Sequence, residues 1–187
     1  MVSGIRQIIT LERLFHSFFG ESLYKAIFAI REVEERLPFL VKQVERLTGL
    51  TGFGKYMDKL FTIDAFFLNE DRHTHNIAVL MNGTGEFAYC PIFDNGAGLL
   101  SDTTLDYPMG GDVYELMEGV RAKTIDGDFD EQLTISEDLY KCNLKFYFTR
   151  NDVTELLKAA TIYPEEERAR VENILYAQMR KYQYLFG

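Results

Sequence analysis

Three oxygen-bearing side chains in one stretch of the chain have the types and spacing of a metal site. Asp71 and Asn76 stand five positions apart in the segment NEDRHTHN, and Asp94 follows in the tripeptide Asp94-Asn95-Gly96. Carboxylate and amide oxygens are hard ligands, and Mg²⁺ in proteins usually takes one or two carboxylates together with phosphate oxygens and water. These residues therefore favour a magnesium site that handles a phosphate compound.

The residues between them are predicted to form a β-hairpin. Residues 77–81 and 87–93 are apolar runs typical of strands, and the NGTG segment that joins them is typical of a hairpin turn. An antiparallel hairpin brings its two outer ends together. Asn76, just before the first strand, and Asp94, just after the second, are therefore expected side by side, with Asp71 on the loop that leads in.

The spacing is also that of protein-kinase catalytic segments. In kinases a catalytic Asp precedes a metal-binding Asn by five positions, and a second metal-binding Asp follows in a D-x-G turn. Asp71 and Asn76 keep this interval, and residues 94–96 supply the turn. The histidine differs, because His73 follows the aspartate whereas ordinary protein kinases have it before.

The combined pattern resembles the catalytic segment of HipA-like serine/threonine kinases. The pattern is N-x-D-R-H-x-x-N at residues 69–76, then a hairpin, then P-x-F-D-N-G at residues 91–96. Phosphoinositide kinases share the D-R-H-x-x-N order and are the more distant relatives. The two-part combination is specific, whereas either half alone is not, and beyond Leu100 the resemblance becomes loose.

The resemblance implies a role for each matched residue. Asp71 would orient or deprotonate the attacking hydroxyl, and His73 would brace the loop. Asn76 and Asp94 would bind Mg²⁺ and, through it, ATP. The remaining positions of the implied site are Phe93 at the cofactor, and Arg72, Asn95 and Gly96 around it. The implied substrate is a protein with a Ser or Thr hydroxyl.

The expected fold is α+β and mainly α, like the C-terminal lobe of a kinase, with the hairpin carrying the site at one edge. Residues 1–187 have the length of a single domain. Every segment before Asn69 is interpreted as helix, so the strand-rich N-terminal lobe with its phosphate-binding lysine is not evident. The chain would then be a fragment or one half of a two-lobe kinase, weakly active alone. Its partner would be a separate N-terminal lobe or an antitoxin-like protein.

Capping residues predict where the helices begin and end. Thr10 and Ser22 are expected to cap helices over residues 11–19 and 23–37, and Pro38 to open another. Gly49 is expected to end that helix. Downstream helices are predicted after three further caps or openers: Ser136, Thr149 or Asn151, and Pro164.

Several alternatives stay open beside the kinase interpretation. The chain could be a catalytically silent binding module that keeps the lobe fold. Less favoured is a metallohydrolase, in which His73 and His75 bind Zn²⁺ together with Asp94. Asp64, an acid on an otherwise apolar helical face, either supports the catalytic loop from behind or is simply solvated. Residues 49–55 match the G-x-x-x-x-G-K of a P-loop, but they follow a helix instead of a strand, so a helix end is the better interpretation.

Composition narrows the function classes. The formal net charge is −9 and the pI about 4.9, which disfavours direct nucleic-acid binding because phosphate contact needs a basic face. No apolar run approaches the length of a membrane span, so no membrane partner is expected. The two cysteines, Cys90 and Cys142, have no metal-binding spacing, and the expected location is the cytoplasm.

Overall fold

The computed structural model describes residues 6–187, which form a mainly helical α+β fold with a small antiparallel sheet. The sheet contains β1 (Gln7–Thr10), β2 (Ala78–Met81) and β3 (Phe87–Tyr89). The α-helices are α1 (Leu11–Phe19), α2 (Leu23–Phe28), α3 (Val33–Thr48), α4 (Phe53–Phe67), α5 (Val113–Gly119), α6 (Phe129–Tyr140), α7 (Arg150–Ala159) and α8 (Glu165–Lys181). A 3₁₀ turn at Gln183–Leu185 follows.

Helix α4 lies at the centre of the core. It packs against α3, α6 and α8, and apolar residues are buried on several of its faces, as Phe53, Phe61 and Phe66 show. The core that surrounds it extends along the chain from Leu11 to Leu185. Because α4 is held from several sides, its C-terminal end is a fixed point from which the loop of residues 69–76 starts.

The sheet has the order β1-β2-β3, and both pairings are antiparallel. The hairpin turn between β2 and β3 is where the sequence predicts it, closed by a hydrogen bond from the Asn82 N–H to the Glu86 carbonyl. The prediction of helix alone before Asn69 is wrong, since β1 is a strand. A four-residue edge strand such as β1 is stable only through its partner β2, which lies some seventy residues later.

The second predicted strand is too long. Strand β3 ends at Tyr89 instead of Phe93, so Asp94 does not directly follow it. Pro91 has no N–H to donate to a strand ladder, and residues 90–95 are irregular. Asn76 is likewise separated from β2 by Ile77. The predicted closeness of the two loops therefore needs a cause other than hairpin pairing.

Helix caps are partly as predicted. Thr10, Ser22 and Thr149 accept hydrogen bonds from the first turns of their helices, and Gly49 ends α3 with a φ of 74°. Pro164 immediately precedes α8, as expected.

The long helix predicted after Ser22 is interrupted, and Pro38 lies inside α3 instead of opening it. The Arg36 guanidinium accounts for the break, because it reaches back to the Ile30 carbonyl (3.0 Å) and across to the Ile125 carbonyl (2.7 Å). Pro38 has no N–H to donate to the carbonyl of Glu34, four residues earlier. Glu34 is exposed, so its carbonyl can accept a hydrogen bond from water instead.

Ser136 is not a cap, and the helix predicted after it is wrong. Helix α6 begins earlier, capped by Asp128, whose carboxylate accepts from the N–H groups of Asp130 and Glu131. Ser136 lies within α6 and donates to the buried Asp58. The Asp58 carboxylate also accepts from Asn143, and this contact fixes the non-helical segment that follows α6.

None of the helices in the described part of the chain has the length and apolarity needed to cross a bilayer.

Candidate functional site

Arg72 joins the segments that carry the predicted site. Its side chain is 2% exposed, and Nε and Nη2 form an ion pair with Asp64 near the end of α4. Its Nη1 donates to the carbonyl of Asn76 (2.9 Å) and to that of Phe93, and Nη2 also donates to Asn95 Oδ1. One guanidinium therefore holds the loop of residues 69–76 against residues 93–95. The paired strands of the hairpin do not extend to either segment.

Asp64 supports the loop from behind, and the solvated alternative is wrong because the residue is 1% exposed. Burial raises the pKa of its carboxyl, whereas the hydrogen bonds from Arg72 and Asn69 oppose that rise. Asn69 Nδ2 donates to Asp64 Oδ1 at 2.9 Å and also contacts the Asp94 carbonyl at 3.4 Å. Through Arg72 and Asn69, the buried Asp64 therefore supports both the loop of residues 69–76 and residues 93–95.

Asp71 and Asn76 are in direct contact. The Asn76 Nδ2 donates to the carbonyl of Asp71 (2.8 Å) and to its carboxylate Oδ2 (3.3 Å). Because the amide nitrogen makes both of these bonds, Asn76 Oδ1 is oriented away from Asp71, and within residues 6–187 it accepts no hydrogen bond. The Asp71 side chain is 45% exposed. A carboxylate and an amide oxygen are therefore presented at the surface, fixed by their own contact.

Asp94 occupies an exposed and unusual backbone position. Its φ is 57°, in the left-handed region that aspartate tolerates better than most residues. The backbone on both sides is anchored: Arg72 binds the Phe93 carbonyl and the Asn95 side chain, and the Ser101 hydroxyl donates to the Gly96 carbonyl at 2.7 Å. The Asp94 carboxylate is thus carried on a loop whose backbone is tied through Arg72 to the Asn76 carbonyl.

Comparison of the chain with protein-family models, with curated proteins and with solved structures found no match.

Two residues at the site were not predicted from the sequence. Lys123 Nζ lies 3.8 Å from Asp71 Oδ1, and the adjacent Thr124, fully buried, donates its hydroxyl to the Arg72 carbonyl at 2.6 Å. Both lie about fifty positions after the loop of residues 69–76, in a segment without a recognisable pattern. No local signal in the sequence distinguishes Lys123 from the other lysines.

A third unpredicted residue, Glu12, braces the loop from α1. Its carboxylate accepts from the Thr74 hydroxyl (2.6 Å) and from the N–H groups of Leu23 and Tyr24. The Glu12 N–H also donates to the Thr74 carbonyl at 3.1 Å. The predicted loop is therefore held at Thr74 by α1, and at Arg72 by α4.

The two loop histidines do not face one side of an extended strand. The His75 N–H donates to His73 Nδ1 (3.2 Å), and their rings are nearly perpendicular at 81°. His73 Nε2 lies 3.7 Å from Asp71 Oδ1, where it can brace that carboxylate. Residues 6–187 contain no group of three or more His, Cys, Asp or Glu side chains placed to hold a metal ion, so the structure does not assemble His73, His75 and Asp94 as a zinc site.

Two side chains are candidate ligands for Mg²⁺, fewer than the three or four protein ligands of a zinc site. They are one amide oxygen, from Asn76, and one carboxylate, from Asp94. Mg²⁺ is commonly bound by one or two carboxylates while substrate phosphates and water complete its octahedron. Asn76 and Asp94 are therefore the side chains that would hold a metal arriving with a nucleotide, and the exposed Asp71 carboxylate lies on the same loop as Asn76.

Proposed function

We propose that this chain is the catalytic lobe of an ATP- and Mg²⁺-dependent phosphotransferase that acts on a protein Ser or Thr hydroxyl. The observation that supports this most is the Asp71–Asn76 contact, in which the amide nitrogen binds the aspartate and its oxygen is left for a cation. Metal-assisted phosphoryl transfer in kinases uses an aspartate and an asparagine at this interval.

In this proposal Asp71 accepts the proton of the attacking hydroxyl or orients it. Asn76 and Asp94 would hold Mg²⁺, which would neutralise charge on the phosphate oxygens when bound. Lys123, beside Asp71, offers a second positive charge to the transferred phosphoryl group. Phosphoryl transfer relies on positioning and electrostatic stabilisation more than on covalent chemistry. The loop of residues 69–76 and residues 93–95, which Arg72 joins, provide fixed positions for the reacting groups.

The proposed lobe has only part of the phosphate-binding apparatus of a kinase. A kinase also needs a lysine on a strand for the α- and β-phosphates and a loop that covers them. The strands of residues 6–187 read QIIT, AVLM and FAY, and none carries a lysine. We therefore expect slow turnover by this chain alone, and a faster reaction when a separate strand-rich lobe is supplied.

The direct test is calorimetric titration of the chain with adenylyl imidodiphosphate, with and without Mg²⁺. Binding should require Mg²⁺ and should weaken by at least about tenfold, equivalent to 1.4 kcal/mol, in Asp94→Asn. Asparagine tolerates the left-handed backbone at this position, so the fold should be retained. Asp106→Asn, the same change at an exposed aspartate of another loop, is the matched control and should bind as the wild type does.

Nucleotide binding that is independent of Mg²⁺, or that is equal in Asp94→Asn and Asp106→Asn, would contradict the proposal. Circular dichroism of each variant shows whether a loss of binding reflects a loss of fold. A second assay, transfer of the γ-phosphate to a mixture of Ser- and Thr-containing peptides, should give a rate that Asp71→Asn abolishes.

The second candidate function is a silent binding module. It is favoured by large apolar side chains left exposed at and beyond α7: Leu156 is 70% exposed and Ile162 is 85% exposed. Scattered exposed apolar residues are common, but a group near one helix end suits a partner surface. Absence of any nucleotide binding in a correctly folded chain would leave this function as the better account.

A further inference from the structure

A groove lined mainly by apolar side chains lies between α7, α8 and the segment that follows the site. Its volume is about 350 Å³, within the range of small-molecule sites. The lining includes Leu100, Leu157, Ala160 and Val171. None of these residues belongs to the proposed phosphotransfer site.

Three charged side chains line this groove, Glu167, Arg168 and Arg170, and the most buried of them has incomplete hydrogen bonds. Arg170, on α8, is 8% exposed. Its Nη1 donates to the Tyr107 carbonyl (2.9 Å) and contacts Met109 Sδ (3.3 Å). Its Nε and Nη2 are buried and have no partner within residues 6–187. A buried guanidinium with two unpaired donors is costly, and such groups usually have a partner.

The two unpaired atoms define the ligand. Nε and Nη2 form one edge of the guanidinium, and two parallel N–H groups on one edge match the two oxygens of a carboxylate. The charged lining residues, Glu167, Arg168 and Arg170, carry a net charge of +1, and Arg168 already donates to the carbonyls of Tyr163 and Leu157. A groove of net charge +1 with mainly apolar walls suits a monoanion better than a doubly charged phosphate.

We propose that this groove binds a small apolar monocarboxylate, with its carboxylate on Nε and Nη2 of Arg170 and its hydrocarbon part against Leu100, Leu157 and Val171. Nε and Nη2 are covered in this structure, so the carboxylate reaches them only when a neighbouring side chain moves. Met109, whose thioether chain is flexible and unbranched, contacts Nη1 of the same guanidinium. This proposal is independent of the phosphotransfer activity.

The test compares octanoate with 1-octanol on the wild-type chain at pH 7, by calorimetry or by NMR titration. The two probes share a hydrocarbon chain and differ in charge. Octanoate should bind saturably with a dissociation constant below about 1 mM, and 1-octanol at least tenfold more weakly. Equal binding of both, or no saturation by octanoate, would overturn the proposal without any variant.

Three single-residue variants test whether octanoate binds in the groove. Arg170→Met should remove the preference for octanoate, and Val171→Phe should fill the groove and weaken both probes at least tenfold. Val33→Phe, the same change on α3 outside the groove, should leave both unchanged. Octanoate binding that survives Val171→Phe in a folded chain would place the site elsewhere. Tighter binding of N-acetyl-leucyl-leucine than of octanoate would assign the groove to a peptide carboxylate instead.

Discussion

At the scale of single residues, the candidate site depends on a buried ion pair. Arg72 and Asp64 are both almost completely buried and contact each other at 2.9 Å. Removing one partner of such a pair leaves an uncompensated charge, whereas removing both together is often nearly neutral. Arg72 also binds the carbonyls of Asn76 and Phe93, so its loss should loosen both loops.

We predict that Arg72→Met lowers the free energy of unfolding by about 3–5 kcal/mol, measured by urea denaturation. The double variant Asp64→Leu/Arg72→Met should recover a substantial part of this loss. Lys123→Met breaks only a half-exposed pair with Asp71 and should change stability by about 0–1 kcal/mol. An Arg72→Met protein as stable as Lys123→Met would show that the pair does not hold the loops.

Glu12 should make stability depend on pH. Burial raises the pKa of its carboxyl, but hydrogen bonds from the Ser22 and Thr74 hydroxyls and the Tyr24 N–H outweigh burial, so that the pKa lies below its usual 4.5. A carboxyl whose pKa is lowered by folding stabilises the protein above its unfolded pKa, and this stability is lost as the pH falls through the folded pKa.

We therefore predict that Glu12→Gln destabilises the protein by about 1–3 kcal/mol at pH 7. The difference from wild type should shrink as the pH falls below 4.5, the usual pKa of glutamate. Thermal unfolding followed by circular dichroism between pH 7 and pH 3 measures both effects. Glu21→Gln, on an exposed residue just before α2, is the control. A constant difference at all pH values would mean that Glu12 acts without its charge.

At the scale of elements, the position of the loop that carries Asp94 depends on a close approach to the end of α4. The Leu99 N–H donates to the Phe67 carbonyl at 2.7 Å. A Cβ on Gly98 would lie 2.9 Å from that same carbonyl oxygen, closer than side-chain atoms normally come. Glycine is therefore required at position 98 by packing.

We predict that Gly98→Ala destabilises the protein by about 1–3 kcal/mol, because the loop must move away from α4. Gly96→Ala is the matched control, since its Cβ would meet open space. Calorimetric melting temperatures compare the two. If both variants melt together, the contact between residue 98 and α4 does not position the loop.

The helices and strands also show which parts of the fold can be predicted from patterns in the sequence. Thr10, Gly49 and Thr149 act through their own backbone neighbours, and these local helix boundaries were predicted correctly. Strand β1 and the break before α3 involve contacts distant in the sequence, with β2 and Ile125, and a short window of sequence does not encode such contacts. The start of α6 is different, because its cap, Asp128, is a local signal that was overlooked.

The same distinction holds for the candidate site. The contact between Asp71 and Asn76 follows from their five-residue interval and was anticipated by the motif. Arg72 joins the carbonyls of Asn76 and Phe93, which no sequence pattern predicted, and the meeting of the Asp94 and Asn76 side chains stays a prediction. Lys123 and Glu12 reach the loop from distant segments, so spacing gives no signal for them.

At the scale of the whole molecule, one core links the beginning and the end of the described chain. The cluster of buried apolar residues includes Leu11 and Leu185, and Gln178 on α8 donates to the carbonyls of Ala65 and Phe66 on α4. Elements that share one core usually unfold together.

We predict a single cooperative unfolding transition, with the calorimetric enthalpy equal to the van't Hoff enthalpy. Leu185→Ala should lower the midpoint without splitting the transition, because the C-terminal 3₁₀ turn is part of the same core. Tyrosine fluorescence and circular dichroism should give coincident curves. Two separate transitions would show that the chain contains independent units, contrary to the single-domain prediction.

The proposed phosphotransfer activity depends on a cation shared by Asn76 and Asp94. The most direct measurement is a crystal structure of the chain with Mn²⁺ and adenylyl imidodiphosphate, with anomalous diffraction to locate the metal. The account predicts a Mn²⁺ peak within about 2.5 Å of both Asn76 Oδ1 and an Asp94 carboxylate oxygen, the range of divalent-cation coordination. A bound nucleotide whose Mn²⁺ contacts neither side chain would contradict it.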